Sequence, residues 1–520
     1  MKTAMKIQPS AQSKERSRIG CEVEVEQQTA HTTLFNLLLT APFLVLFLVQ
    51  LLHHEMWRDE LNAFGIARAS PNLSTLFHRV HYEGHPWLWY LMLWVVSRLT
   101  TSPIGMKVLQ VVIGTAIYLV IGLVSPFSRV EKVLIFLSYF ISFEYTVLSR
   151  MYGLVLLLLL IYLRQRAVHP QRFFGSSLLL GLMASADMMG ILLSGALFIE
   201  ASFSALKAPA RMSAERTRQF AYGSTAYAAM TAFSVLSLFP ARDMSWRPTA
   251  HLSAGTLLHL LNATVRYIML PYFPIIQPGS FWNAFPGDPN RHLAFLAALL
   301  PFVVAAYYFL LRQHPNLLLL MGVTIVSSIA FADLVYMGYL RHYGITFLAF
   351  LAAVWLLRTQ IPRLPGMAYA LIGLTAVGGI YAGFQAWQRP FSNAESTAKW
   401  LIANHLDAGP LVGTDFVVAS IAVLLNRPIY MLDCSCSERF LLFSNPREWY
   451  TESQIPSRLV AVPGILQISQ LVYLGNRPFT STEESGIRSH GFSVKALASF
   501  IGAQEEEENF YAYQIRVDRK

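Results

Sequence analysis

The sequence predicts an all-α polytopic membrane bundle of roughly 11–13 transmembrane helices, followed by a small C-terminal α/β soluble domain. Of the 520 residues, 54% are hydrophobic and only 13% are charged, whereas a soluble protein carries about twice that share of charge. The apolar residues are gathered into runs near or above the ~18 to 20 residues that cross a bilayer. Since an open strand cannot satisfy its backbone in lipid, these runs predict helices.

Three parts are predicted along the chain. Residues 1–32 form a polar cytoplasmic tail, 33–389 a transmembrane module, and 390–520 a soluble domain. The apolar stretch 33–52 is too long for a signal-peptide core, so it predicts an uncleaved first span. Because the leader before this span is basic, we expect a cytoplasmic N-terminus, which places the loop at 54–85 outside.

Further apolar segments continue the bundle, and one of them, 173–206, is either one long span or two short ones. Basic residues stand singly at the ends of these segments, which is typical of anchoring to lipid headgroups. The net charge of +10 therefore does not indicate nucleic-acid binding. The other predicted spans are 86–100, 105–124, 130–148, 152–163, 220–239, 292–311, 316–337, 341–357 and 366–387.

The C-terminal region, 390–520, alternates helical and extended patterns, which predicts a small α/β domain. No Gly-rich phosphate loop follows its strands, so no chemistry is predicted for it. Cys434 and Cys436 are too few for a disulfide framework and are interpreted as structurally incidental. The predicted helices are 394–405, Val417–Leu425 and 494–502, and the predicted strands are Leu411–Gly413, Pro428–Leu432, Leu459–Val462, Gln470–Leu474 and Asn509–Val517.

The loop at 54–85 is far more charged than its surroundings. Trp57, Leu61 and Phe64 share one helical face, while polar residues such as Asn62 point elsewhere. This pattern predicts a helix that lies in the membrane interface rather than crossing it.

Four titratable residues of this loop are predicted to lie together at the outer membrane surface. Asp59 and Glu60 are adjacent in the sequence, and Glu83 and His85 are expected at the same depth in the membrane. A carboxylate can take a proton from an attacking hydroxyl, and positive charge or a metal can stabilise a departing phosphate. The alternative is that an outer loop must be polar in any case, so that acids there carry no function.

The order Trp57-Arg58-Asp59-Glu60 and then Glu83-Gly84-His85-Pro86 resembles the GT-C glycosyltransferase superfamily. It is similar in particular to the protein O-mannosyltransferases and to the bacterial enzymes that modify lipopolysaccharide or lipid A, such as aminoarabinose transferases. The resemblance implies an inverting enzyme of the bacterial inner membrane. Such an enzyme transfers a sugar from a polyprenyl-phosphate donor to a lipid, glycan or protein acceptor at the outer face.

The resemblance also implies roles for individual residues. Asp59 takes the position of the catalytic general base, with Glu60 beside it, and Glu83 and His85 adjoin the substrate or a metal. The C-terminal domain is expected to face outward beside the cavity. The metal dependence stays open, with Mg²⁺ or Mn²⁺ as the candidate ions.

Arg150 and Tyr152 form an Arg-x-Tyr element that relatives carry near the reaction cavity, where the arginine would bind the donor phosphate. Counting 86–100, 105–124 and 130–148 as full crossings puts Arg150 on the cytoplasmic side, away from the loop at 54–85. Either one of these segments does not span, or Arg150 plays no part.

Arg341 and His342 begin a late span, where relatives hold the donor phosphate with a basic residue. Arginine suits this role through its paired N–H donors. Headgroup anchoring is the alternative for both residues. Asp187 is interpreted as a loop or helix break. Glu144, which lies inside an apolar run, is a weaker candidate for a functional residue than Arg150.

A transporter or flippase for a lipid-linked sugar is the rival hypothesis. Such a protein should show broken helices in paired positions and charges in the middle of the membrane. The acids of this chain cluster in an outer loop instead, which favours the enzyme.

Overall fold

The protein is a mostly helical bundle with a small C-terminal sheet region, as the sequence predicts. The computed structural model describes residues 11–206, 213–245, 257–274, 289–444, 447–448 and 452–518. The helices of the bundle are α1 Ala11–His53, α2 Arg58–Ala69, α3 Leu73–Val80, α4 Trp87–Leu99, α5 Ile104–Leu119, α6 Arg129–Leu137, α7 Met151–Val168, α8 Phe173–Ala186, α9 Met188–Leu206, α10 Ala214–Ser237, α11 Leu257–Met269, α12 Pro289–Leu311, α13 Pro315–Leu334, α14 Leu340–Arg358 and α15 Gly366–Gln388.

In the described part of the chain, eight helices are long and apolar enough to cross a bilayer. These helices indicate a multi-pass membrane protein. The other predicted spans correspond to helices that are shorter or less apolar, such as α4, α8 and α10. The eight are Thr32–His53, Ile104–Val124, Met151–Val168, Met188–Leu206, Leu293–Leu311, Pro315–Leu334, Leu340–Arg358 and Gly366–Gln388.

The predicted span at 86–100 does not cross the bundle. Helix α4 lies along α2, and Trp94 Nε1 donates to the Ser70 carbonyl at 2.9 Å while Arg98 Nη2 donates to the Arg68 carbonyl at 2.8 Å. The next helix, α5, begins on the same side, because Lys107 Nζ donates to the His54 carbonyl that ends α1. Both ends of α4 therefore lie on one side of the bundle.

The predicted span at 130–148 is not one helix. It consists of α6, a π-helical turn at Phe140–Glu144, and further turns before Arg150. Gln110 Nε2 of α5 donates to the carbonyls of Tyr145 and Thr146 at 3.1 and 2.8 Å, so this segment runs antiparallel to α5 and returns to the side where α5 begins. Because α4 does not cross and this segment does, Arg150 arrives on the same side as α2.

Helix α14 forms the centre of the bundle. All of the residues in its apolar window are buried. Gly344 allows the close approach of its neighbour, because a Cβ there would lie 2.1 Å from the Tyr145 hydroxyl oxygen. That hydroxyl donates to the Arg341 carbonyl at 2.7 Å, which fixes the first turn of α14 against the segment before Arg150.

The C-terminal region contains one six-stranded sheet with the order β3-β2-β1-β4-β6-β5. Strand β1 pairs in parallel with β2 and β4, and the remaining pairs are antiparallel. The elements are α16 Ala394–Ala403, β1 Leu411–Gly413, α17 Asp415–Leu424, β2 Ile429–Met431, β3 Cys436–Glu438, α18 Ile455–Leu466, β4 Gln470–Gly475, α19 Ser481–Ser489, β5 Phe492–Phe500 and β6 Phe510–Val517.

Three predictions for this region are wrong. The run Leu459–Val462 lies inside helix α18 rather than in a strand, because a short apolar run fits either element. The segment predicted as a helix at 494–502 falls mostly in β5, where pairing with β6 overrides the helix propensity of its Ala, Leu and Lys residues. Cys434 and Cys436 form a disulfide and are therefore not incidental.

The C-terminal region packs directly on α2. The Asn62 side chain exchanges two hydrogen bonds with the Leu441 backbone, at 3.0 and 2.7 Å. A Cβ on Gly65 would lie 2.6 Å from Val423 Cγ2 of α17, so only glycine allows this contact. Helix α2 has only 12 residues, so it does not cross a membrane, and the C-terminal region covers its polar side at Asn62.

Candidate functional site

A cavity of about 510 Å³ lies where α2, the bundle and the C-terminal region meet. Seven of the predicted site residues line it, although they come from four separate stretches of the chain. They are Asp59, Glu83, His85, Arg150, Tyr152, Arg341 and His342.

Glu60, the eighth predicted site residue, does not line this cavity. Its Oε2 accepts hydrogen bonds from His54 Nε2 at 2.8 Å and from the Trp57 amide at 3.1 Å, and its Oε1 accepts from the Ser149 amide. Burial acts to raise the pKa of Glu60, but His54 and these backbone donors lower it further than burial raises it. Glu60 is therefore an ionised link between the end of α1, the first turn of α2 and the segment before α7.

Asp59 presents its carboxylate to the cavity beside two guanidinium groups. Its Oδ2 lies 3.7 Å from Arg341 Nη2 and its Oδ1 lies 3.7 Å from Arg58 Nε. The Asp59 side chain is 27% exposed, against 10% for Arg341. Burial acts to raise the pKa of Asp59, but Arg150, Arg58 and Arg341 outweigh it and hold the pKa below its usual value. The cavity therefore contains an accessible, ionised carboxylate.

Arg150 connects Asp59 to a histidine–aspartate pair. Its Nη1 donates to the Asp59 carbonyl, and its Nη2 lies 3.2 Å from His85 Nε2. His85 Nδ1 lies 3.1 Å from Asp187 Oδ2. Asp187 also stands at the break between α8 and α9, as the sequence predicts, where its Oδ1 accepts from the Met189 amide at 2.8 Å. No local pattern revealed its second role, because its partner lies 102 positions away.

Glu83 has a different environment from Asp59. The Tyr90 hydroxyl donates to Glu83 Oε2 at 2.9 Å. Burial, more than any neighbouring charge, raises the pKa of Glu83 to about 7. Three carboxyl groups therefore line the cavity, those of Asp59, Glu83 and Asp187, and the pKa of Asp59 is lowered whereas that of Glu83 is raised.

Arg341 and His342 are fixed at the start of α14. The Arg341 guanidinium carbon lies 5.5 Å from the centre of the Trp57 ring and 5.1 Å from that of Tyr339. His342 Nδ1 accepts from the Tyr339 amide at 2.9 Å, and its ring lies edge-on to Tyr152 at 6.2 Å. The aromatic rings therefore hold the Arg341 charge at the cavity wall.

The cavity is lined by both basic and apolar residues. Arg58, Arg150 and Arg341 lie around the ionised Asp59, and a group of guanidinium groups can attract an anion such as a phosphate. The apolar lining comes from α9, from α13, from the residues that follow α10 and α13, and from the C-terminal region. The apolar lining residues are Met188, Met189, Leu238, Met244, Phe331, Val335, Phe416, Leu441 and Phe443.

The sequence leaves the metal dependence open, and the structure shows no candidate metal site in the part of the chain that it describes. No group of three His, Cys, Asp or Glu residues is arranged there to hold an ion.

Comparison with known proteins gives no relative. No protein-family model matches the chain, and no curated protein matches it either.

Glu508 is a site-building residue that the sequence did not reveal. Its Oε1 accepts from the Arg58 amide at 3.1 Å and its Oε2 accepts from Ser392 Oγ at 2.6 Å. The preceding residue, Glu507, pairs with Arg58 Nη1 at 2.9 Å. In the sequence, the four consecutive glutamates of 505–508 have the composition of a solvated surface run, yet Glu508 is only 2% exposed.

Replacing Glu508 by Ala should destabilise the protein by about 1–3 kcal/mol, because the buried Arg58 amide loses its acceptor. Glu508→Gln keeps a carbonyl oxygen at the same place and should lose less. Thermal unfolding of the detergent-solubilised protein measures both effects. Glu506→Ala, which removes an exposed glutamate of the same run, is the matched control. Equal unfolding temperatures for Glu508→Ala and Glu506→Ala would contradict the role given to Glu508.

Proposed function

We propose that this protein is an inverting membrane glycosyltransferase of the GT-C type. It transfers a sugar from a polyprenyl-phosphate donor to a hydroxyl of a lipid, glycan or protein acceptor at the outer membrane face. The observation that carries the proposal is the accessible Asp59 carboxylate, 3.7 Å from the Arg341 guanidinium, in a cavity lined by both basic and apolar residues.

In the proposed reaction, the acceptor oxygen forms a bond to the anomeric carbon from the face opposite the phosphate. Asp59 takes the proton of the acceptor hydroxyl as general base. The bond from the anomeric carbon to the phosphate oxygen breaks, and its electron pair leaves with the polyprenyl phosphate. Arg341 and Arg150 stabilise the charge that develops on this leaving group.

The remaining predicted site residues support these groups in the proposal. Glu60 is a positioning residue, because it anchors the turn that carries Asp59. His85 keeps the orientation of Arg150, and Asp187 in turn holds His85. His342 and Tyr152 shape the wall beside Arg341.

The outer location rests on two observations. The N-terminal leader is basic, which favours a cytoplasmic start. The disulfide between Cys434 and Cys436 belongs to the region that packs on α2, and disulfides persist in oxidising compartments. We place α2 and the C-terminal region together outside the bacterial inner membrane, which requires an odd number of crossings.

Asp59→Asn should reduce sugar transfer by ~100-fold or more, the usual scale for losing a general base. The change keeps size and shape, so folding and membrane insertion should be retained. The measurement is turnover of purified enzyme with lipid-linked sugars as donor. Asp243→Asn, an equivalent change beside Tyr82 in a residue that does not line the cavity, should turn over like the wild type. Wild-type turnover in Asp59→Asn would refute the assigned base.

Arg341→Ala should raise the KM for the donor more than the KM for the acceptor, because the guanidinium is assigned to the donor phosphate. Arg341→Lys should recover only part of the loss, since an ammonium cannot form two parallel hydrogen bonds. Arg312→Ala removes the same charge from an exposed position and serves as the control. An unchanged donor KM together with an unchanged kcat in Arg341→Ala would show that the phosphate lies elsewhere.

Single cysteines at Ser74 and Ser485, both exposed, should react with an impermeant maleimide in intact cells or spheroplasts. The background lacks the native cysteines. Thr217→Cys is the control. Thr217 lies near the start of α10, and the other end of α10 contacts His81 of the outer loop. A cysteine at position 217 should therefore react only after permeabilisation. The reverse pattern would move Asp59 to the cytoplasmic face and make a nucleotide sugar the donor to test.

A further inference from the structure

A second cavity, of about 200 Å³, lies in the C-terminal region next to α2. It is separate from the cavity that contains Asp59, and the proposed reaction does not use it. Its lining includes Arg58, Thr414, Phe416, Asp433, Asn476 and Phe479.

The sheet topology explains where this cavity lies. From β1 the chain passes through α17 to β2 on one side, and it later passes through α18 into β4 on the other side of β1. In open α/β sheets, the crevice at the carboxyl ends of two such strands is where ligands bind. Thr414 follows β1 directly and Asn476 follows β4 directly, and both line the cavity.

The crevice is not built for a phosphate. The first amide of α17, that of Asp415, already donates to Asp433 Oδ2 at 2.7 Å. The Asp415 carboxylate occupies the same helix start and pairs with Arg447. Two carboxylates at the helix N-terminus repel another anion, so a nucleotide or a phosphorylated ligand is disfavoured.

The positive charges of the crevice are also neutralised by neighbouring carboxylates. Arg477 forms a two-pronged pair with Glu483, at 2.6 and 2.9 Å, and Arg58 pairs with Glu507 at 2.9 Å. The remaining lining combines hydroxyl and amide groups with aromatic rings. This composition suits an uncharged ligand that carries many hydroxyls.

The aromatic rings provide a stacking surface. Phe479 stacks on Tyr473 with ring centres 4.9 Å apart and an angle of 14° between the planes, and Tyr513 supports Phe479 at 4.5 Å. A half-buried ring beside amide and carboxylate groups can hold the apolar face of a sugar while the polar groups bind its hydroxyls.

The two cavities share a wall. Arg58 and Phe416 line both of them, and the Arg58 guanidinium carbon lies 4.7 Å from the centre of the Phe416 ring. Arg58 is the residue before Asp59. The crevice therefore adjoins the cavity of the assigned base, with the Arg58 and Phe416 side chains between the two.

We propose that the crevice between the carboxyl ends of β1 and β4 is a saccharide subsite that binds the glycan part of the acceptor next to the cavity that contains Asp59. This inference rests on the proposed transfer reaction, and it assigns the acceptor to the glycans or glycolipids.

The test is direct binding without donor. The probe is the oligosaccharide fraction released by mild acid from cell-surface glycolipids of the producing organism, labelled at the reducing end. Phe479→Ala and Asn476→Ala in the full-length, detergent-solubilised protein should each weaken binding about tenfold, a loss of one aromatic or amide contact. Phe500→Ala, on the strand at the far edge of the sheet, and Asp59→Asn should both bind like the wild type.

Wild-type affinity in both crevice variants, or no binding to the wild type, would overturn the subsite. Asn476 is a half-buried loop residue, so its variant keeps the test valid if Phe479→Ala does not fold. Transfer assays distinguish this failure from that of the proposed function. If the subsite alone is wrong, Asp59→Asn still abolishes transfer while the crevice variants keep the acceptor KM. If the function is wrong, the binding pattern appears but wild-type protein transfers no sugar.

Discussion

The first turn of α2 is the part of the structure on which the rest depends, because it buries several charges at once. A buried charge is tolerated only where partners satisfy it. Glu60 finds its partners at the end of α1 and at the Ser149 amide, whereas the Arg58 amide and side chain find theirs at Glu508 and Glu507 of the C-terminal region. These partners come from distant parts of the chain, so the turn that carries Asp59 is satisfied only when bundle and C-terminal region have both assembled around it.

The irregular segments of the bundle follow from the same requirement. Helix α4 is short and lies along α2, and the segment after α5 rises through a π-helical turn instead of one regular helix. Together they bring Arg150 to the side of the bundle that holds Asp59. A regular sequence of full crossings would have placed that guanidinium at the opposite end. The departures from regular spans are therefore what assembles a basic cavity from residues far apart in sequence.

The sequence predicted the bundle, the α/β character of the C-terminal region and seven of the residues that line the cavity, because spans and polar loop residues are local signals. The predictions failed where packing between distant segments determines the position of a helix or the role of a side chain. The run at 86–100 is shorter than the ~18 to 20 residues that cross a bilayer, but nothing in its sequence shows that it lies along α2. Glu60 is an acidic residue next to Asp59, so the sequence does not distinguish their roles. Only the contacts of Glu60 with His54 and Ser149 show that it has a different role from Asp59. Glu508 looked like part of a solvated run because its partner, the Arg58 amide, is 450 positions away.

The electrostatics of the cavity imply an order for the proposed reaction. Three arginines hold the pKa of Asp59 below its usual value, which makes the carboxylate a weak base. A donor phosphate between Arg341 and Arg150 would offset the charges that stabilise the ionised form, and the proton affinity of Asp59 would rise. A general base is most effective when its pKa approaches the working pH. The acceptor hydroxyl would then meet an activated base only after the donor has bound, which protects the lipid-linked sugar from being turned over before both substrates are in place.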